Sequence, residues 1–414
     1  MSDAPTSDAP GDMTKTDRPA LDRRAFLWGT ALATAIPIVS EGTLAHARLS
    51  AGLGVPPPGA VLINANENPL GPCRAACDAI ANIAPHGGRY DRMDDQDAFI
   101  KTFAEQHGLK PENVLVYAGS SEPLHYTVLA FTSPSKSLVT ADPSYESPML
   151  AAKYGGAPIH KVALTSNFAH DVKAMVAADP SAGVIYICNP NNPTGTITPR
   201  EEILWALENK PKGSILLVDE AYIHLSEQQD VLDQVVAGKD LIVLRTFSKV
   251  YGMAGIRCGV AMGRPDLLAK LSPYGQNPMP ITALVAARAS IADPDLVPTR
   301  KKIIGEVRRD TIAWLQQSGY KVIGDPESNC FMIDTGREGH GVIAALQKQN
   351  VYIGRIWPVW PNAVRVSVGS PDDMAKFRVA FKEVMDAPAM AASPAPAKQA
   401  RATLPGMGGT TFLS

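Results

Sequence analysis

Charge of one sign is what this chain lacks most plainly. Its 414 residues carry 39 Lys plus Arg against 41 Asp plus Glu, a net charge of −2. With no basic excess and no basic block, it has no electrostatic footprint for nucleic acid. Cysteine is scarce: Cys73, Cys77, Cys188, Cys258 and Cys330 are odd in number and scattered. They spell no disulfide framework. Cys73 and Cys77 lack the second pair of a zinc site, so no metal is expected. A run long enough for a membrane span, roughly 20 apolar residues, is also missing from the N-terminal region. No internal repeat is present. What the chain does have is a hydrophobic fraction of 45%, enough for a sizeable core.

The two ends differ from the rest. The first twenty residues are polar and aperiodic, as a disordered leader is. LDRRAFLWGTALATAIPIVS follows, with Arg23 and Arg24 ahead of a short apolar run, and then the Ala45-His46-Ala47 pattern of a cleavage site. RRAFL resembles the core of a twin-arginine export signal, with Asp22 and Trp28 departing from its usual flanks. Cleavage near Ala47 and a periplasmic or secreted mature chain are expected, with no membrane span left after cleavage. If the signal is unused, the chain stays cytoplasmic. Residues 387–414 are rich in Ala, Pro and Gly and read as an unstructured tail.

Between these ends, short apolar runs alternate with helix-period segments. Strands are expected at 114–117, 137–140, 184–188, 215–218, 241–244 and 259–262, with helices at 123–131, 200–208 and 265–271. Runs such as VIYIC, ILLVD and LIVLR are continuously apolar, as in strands covered on both faces. The fold class that follows is α/β: a mostly parallel central sheet flanked by helices. Beyond residue 290 a long amphipathic stretch (295–318) leads into short strands and helices near 342–349 and 372–385, a smaller α+β part. The expected organisation is leader and signal at 1–47, an arm belonging partly to the small domain at 48–85, a large domain at 86–290, a small domain at 291–386, and the tail.

In such sheets ligands sit beyond the carboxyl ends of the strands, and there the polar residues collect. After VLVYA come Gly119, Ser120, Ser121 and Glu122, then a helix. Amides at a helix start bind phosphate, although a plain Ser cap with an acidic first turn has the same appearance. After VIYICNP comes Asn192 in a Pro- and Gly-bearing turn, or simply an Asn-Pro turn. After ILLV comes Asp219, able to pair with a protonated heterocycle nitrogen or to cap the next helix, with Tyr222 three residues on. After LIVLR comes TFSKVYGMAGIRCG, holding Thr246, Ser248, Lys249 and Arg257. A lysine at a crowded strand end is a candidate nucleophile, and hydroxyls beside a forked arginine suit a phosphate. Phosphate cradle, amide, acid, phenol and lysine together form the inventory for pyridoxal phosphate.

NANENPLGP (64–72), RYD (89–91), GSSE, DPSYE (142–146), NPNNPTG (189–195), VDEAY (218–222), TFSKVYGMAGIRCG and VRVSVG (364–369) stand in one order along the chain. In this set the chain resembles the fold-type I, class I/II aminotransferases, and among them the histidinol-phosphate aminotransferase branch. The resemblance implies that Lys249 carries the cofactor as a Schiff base and moves the substrate Cα proton. Asp219 would meet the pyridinium nitrogen, Asn192 and Tyr222 the ring oxygen, and Tyr145 the ring face. Ser120, Ser121, Thr246, Ser248 and Arg257 would hold the phosphate, joined by Tyr90 from the second subunit of a homodimer. Arg365 would clamp the substrate α-carboxylate, with Arg355 and Asn68 as further substrate contacts. The implied partners are an amino acid donor (or an amino-phosphate such as histidinol phosphate, or an aromatic amino acid) and a 2-oxo acid acceptor, in a ping-pong cycle. A lyase, decarboxylase or amine oxidase on the same fold is the alternative. The family usually has Pro where Asp91 stands. Trp357 and Trp360 either pack the small-domain core or line a pocket for an aromatic side chain.

Overall fold

The computed structural model describes residues 56–91, 94–275 and 277–388. The leader, the paired arginines, the cleavage pattern and the tail from residue 389 lie outside the described residues.

Seven strands form the main sheet: β2 (Val114–Tyr117), β3 (Leu138–Asp142), β4 (Ile159–Ala163), β5 (Val184–Cys188), β6 (Ile215–Asp219), β7 (Leu241–Thr246) and β8 (Gly259–Gly263). Their order is β2-β8-β7-β6-β5-β3-β4, and β8 alone runs antiparallel to its neighbours. Every residue of β5, β6, β7 and β8 is buried. Alternate side chains enter two separate cores. Ile185, Ile187, Leu216, Val218, Leu241 and Val243 pack on one face, and Val184, Tyr186, Leu217, Ile242 and Leu244 on the other. Continuous apolar runs arise because both faces are covered.

Strand β4 went unread in the sequence. IHKVA is only partly buried and sits at the sheet edge beside β3, where Lys161 pairs with Asp142 at 2.9 Å. An edge strand needs less apolar surface and tolerates charge, so its pattern is weak. Other boundaries moved by a few residues. The helix expected at 123–131 begins at Ser121, the one at 265–271 ends at Leu268 and continues as a 3-10 turn, and the one near 342–349 spans Gly339–Gln347.

The remaining strands build two small sheets. β10 (Cys330–Asp334) lies between β9 (Lys321–Ile323) and β12 (Ala363–Ser367), all antiparallel, and β1 (Val61–Ile63) pairs in parallel with β11 (Val351–Ile353). The 22-residue helix Leu296–Gln317 precedes them, and Pro371–Asp386 closes the chain behind a Ser370/Asp373 capping box. Pairing of β1 with β11 fixes the path of the following segment, 64–68, across the main sheet's carboxyl edge. Among the described residues no helix is long and apolar enough to cross a membrane, and no group of His, Cys, Asp and Glu could hold a metal.

Candidate active site

The register of the main sheet explains why motifs far apart in sequence meet. Cys188 lies opposite Asp219, Asp219 opposite Leu244, and Gly259 opposite both Thr246 and Tyr117. The loops after β2, β5, β6 and β7 therefore open along one edge.

Lys249 follows β7 and is buried, at 7% exposure. Its Nζ donates to the carbonyl oxygen of Asn66 at 2.9 Å and approaches that of Ala65 at 3.4 Å. The ring of Tyr222 lies 5.5 Å from the ammonium. Asn68 donates its side-chain amide to the carbonyls of Lys249 (2.9 Å) and Val250 (3.0 Å), and so braces the lysine's backbone. The resemblance implies a substrate contact for Asn68, and the structure places its amide on the chain that carries the lysine.

Asp219 ends β6, fully enclosed. Tyr186, on the neighbouring strand, donates its hydroxyl to Oδ2 at 3.0 Å, and the Ala221 amide donates to Oδ1 at 3.1 Å. Burial pushes the Asp219 carboxyl up to about 6, against the opposing pull of Tyr186, the Ala221 amide and the Lys249 charge. The adjacent Glu220 takes a different partner, Arg245 on β7, at 2.9 Å. That buried pair anchors the turn and leaves Asp219 at the strand end.

At the β2 side, the Ser120 side chain does not cap the helix Ser121–Phe131. Thr246 donates to the Ser248 hydroxyl at 2.9 Å. Arg257 approaches the same hydroxyl at 3.3 Å and binds the carbonyls of Ala254 (2.9 Å) and Ala118 (3.0 Å). Burial lowers the Arg257 pKa, with Tyr145 and Glu122 among the groups that oppose it, so Tyr145 belongs to this corner. Gly119 is a necessity here. Its φ is +93°, and a Cβ on it would lie 2.1 Å from Arg257 Nη2.

From the small sheets comes Arg365, on β12 and fully buried. It donates to Asn192 Oδ1 at 2.9 Å and to the Asn64 carbonyl at 2.7 Å, which ties the loop after β5 to the arm. Arg355 pairs with Glu146, Nη2 to Oε2 at 2.6 Å and Nε to Oε1 at 3.4 Å. Trp357 is buried beside both arginines, whose guanidinium carbons lie 4.7 Å and 5.6 Å from its ring centre. Its indole N–H donates to Ser144 at 2.9 Å, while half-buried Trp360 meets Phe168 edge to face. Trp357 thus fills a small core and borders the arginines at once. Tyr90 stands apart from this group and is 85% exposed. Asp91 accepts from the amides of Asp95 and Gln96, and so holds the first turn of the helix Asp94–Gln106.

The edge therefore collects an amine, a buried carboxylate beside it, a hydroxyl–arginine corner for an anion, and two further arginines. The chain as a whole has counterparts among known proteins. Residues 59–381 match the model of the family described as aminotransferase class I and II.

The chain belongs to that family.

Amino-group transfer is its reaction class. It is similar to a histidinol-phosphate aminotransferase of Moorella thermoacetica, at 30% identity over 78% of this chain and 85% of the other. It is also similar to an aromatic amino acid aminotransferase of Rhodococcus jostii, at 31% identity over 81% and 92%. A crystal structure described as a putative histidinol-phosphate aminotransferase from Erwinia carotovora atroseptica superposes with a TM-score of 0.75 and 28% identity, over 79% of this chain and 96% of that one. The fold is thus that of fold-type I aminotransferases.

Three residues of this aminotransferase site escaped the sequence reading. Asn66 has a φ of +53° and receives Lys249; its Nδ2 donates to the Tyr222 hydroxyl at 3.0 Å, and Ser367 donates to its Oδ1 at 2.9 Å. Asn is one of the few side chains that tolerate this backbone region, which was the available signal. Tyr186 was visible as a lone hydroxyl in an apolar strand, where a partner is required. Glu146 closes the DPSYE motif, but nothing local points to Arg355, which lies 209 positions away.

Proposed function

We propose that this aminotransferase uses pyridoxal phosphate to exchange an amino group between an amino acid and a 2-oxo acid in two half-reactions. The observation that carries the reading is the buried amine of Lys249 over the Tyr222 ring, within electrostatic reach of the Asp219 carboxylate. The residues fit the cofactor. Lys249 would hold its aldehyde carbon, Asp219 its ring nitrogen, Asn192 and Tyr222 its ring oxygen, and Tyr145 its ring face. Ser120, Ser121, Thr246, Ser248 and Arg257 would hold its phosphate, in a corner that only a glycine at position 119 leaves open. When bound, pyridoxal phosphate supplies an electron sink for the charge that develops at the substrate Cα. Lys249 takes the Cα proton and returns it, while Arg365 orients the α-carboxylate through its two-pronged guanidinium. The test is the absorbance of the purified yellow protein. An amino donor alone should shift it to the pyridoxamine form, and Lys249→Ala should abolish the shift. A protein that released ammonia with no need of a 2-oxo acid would refute the reading.

The same proposal includes a homodimer in which Tyr90, exposed in one chain, reaches the cofactor phosphate of the other. Light scattering that gave a monomer at micromolar concentration would refute it. It also includes export, supported by RRAFL and by Ala45-His46-Ala47. N-terminal sequencing of the periplasmic fraction should begin near Arg48, and a Met1 start in all of the protein would refute export.

A further inference from the structure

We infer that Glu146 sets the substrate class of this site: by neutralising Arg355 it excludes donors with an anionic side chain in favour of uncharged ones. The inference rests on the amino-transfer reading.

The substrate end of the site carries two arginines close together. The amide of Gly354 donates to the Arg365 carbonyl at 2.8 Å, and both guanidinium groups flank the Trp357 ring. If Arg365 takes the α-carboxylate, Arg355 is the cation that a second anionic group, a carboxylate or a phosphate, would meet. That cation already has a partner. Glu146 follows Tyr145 in the loop after β3 and grips Arg355 with both oxygens, the pair's side chains being 26% and 5% exposed. A fork of this kind, mostly out of water, satisfies the guanidinium in charge and in geometry.

A donor with a distal anion therefore gains little from Arg355. It has to displace Glu146, or place its own charge beside that carboxylate, and like charges at this range repel in a partly desolvated site. An uncharged side chain meets no such penalty. The side chains packed beside the pair are apolar and mostly buried: Trp357 packs with Met332 and Ile323, and Trp360 and Phe168 lie against that cluster, so they supply no second charge. Cation and carboxylate cancel, and no net charge is left at this end to attract an anion.

The experiment uses the full holoenzyme with phenylalanine, glutamate and histidinol phosphate as donors, and 3-phenylpropionate and succinate as unreactive analogues. Wild type should prefer phenylalanine over both anionic donors by at least about 100-fold in kcat/KM. Glu146→Gln should raise kcat/KM for glutamate by about 10- to 100-fold, the range that one charge contact spans. It should tighten succinate by calorimetry while leaving 3-phenylpropionate within about threefold. Glu146→Asp, which keeps the charge, should keep the wild-type preference. Arg355→Gln provides a second route should the first variant fold poorly: with Glu146 unopposed, it should lower the anionic donors further and favour basic ones. Glutamate or histidinol phosphate as the best wild-type donor would overturn the inference, as would Glu146→Gln scaling all donors and analogues alike. Either result leaves amino transfer intact. Failure of every donor to convert the bound cofactor would overturn amino transfer itself, and the inference with it.

Discussion

Nζ of Lys249 lies 2.9 Å from the backbone oxygen of Asn66, a residue 183 positions earlier in the chain. The carbonyl reaches the amine because Asn66 sits in the left-handed region, at φ +53°, with its side chain pinned by Tyr222, Cys330 and Ser367. The arm thereby sets the resting position of the lysine.

Replacing Asn66 should separate backbone strain from side-chain bonding. Asn66→Ala loses the amide's hydrogen bonds and forces a Cβ-bearing residue with no local compensation into that region. About 2–4 kcal/mol of stability is expected to go. Asn66→Gly relieves the strain only, and should recover roughly 1 kcal/mol of that loss. Denaturant unfolding of the two variants checks the order; equal losses would show that the backbone conformation carries no strain.

Asp219 predicts a pH dependence of known sign. Its carboxyl is raised from the ordinary 3.8 to about 6 in the cofactor-free chain, mainly by burial. A raised group favours the folded state fully below its unfolded value, near 4, and loses that contribution as pH rises through about 6. Relative to Asp219→Asn, cofactor-free wild type should therefore become less stable between pH 4 and 6, by at most about 2–3 kcal/mol, and level off above. Thermal melts across pH 4–8 read this out; parallel curves would contradict it. The same variant should lower kcat by about 10²–10³-fold through loss of the charge facing the cofactor ring.

Gly119→Ala should act on the anion corner. Its Cβ would fall 2.1 Å from Arg257 Nη2, so the guanidinium has to move, and cofactor affinity should weaken by at least about tenfold. Gly213→Ala is the control. Position 213 has φ +84° but open space around it, so it should lose stability by about 1–3 kcal/mol without loss of cofactor affinity. Titration of the cofactor by absorbance distinguishes the two.

Arg365→Lys keeps the charge and removes the fork. The donor KM should rise by about 10- to 100-fold, with a smaller effect on kcat, because a carboxylate held at one point is still bound but poorly oriented. Steady-state kinetics with the best donor measure it. An unchanged KM would remove Arg365 from the substrate site.

The fold is legible in the sequence where local pattern carries the information. The buried strands β5, β6 and β7 announced themselves through unbroken apolar runs, and the polar residues after them had to lie at a sheet's carboxyl edge. β4 stayed hidden because an edge strand with His160 and Lys161 has no such run.

The chain's order of residues thus determined by itself the buried strands of the sheet, the residue types at their edge and the family to which they belong, since each depends on short-range periodicity and motif. Only the tertiary structure decided how those residues are used: that Asn68 braces Lys249, that Asn66 receives it, that Trp357 stands between core and site, and that Arg355 is answered by Glu146. The physical reason is that a hydrogen bond or ion pair needs its two groups within about 3 Å. For partners some 180 to 300 residues apart, that distance is fixed by how β1, β11 and β12 set the arm and the small sheets against the main sheet's edge.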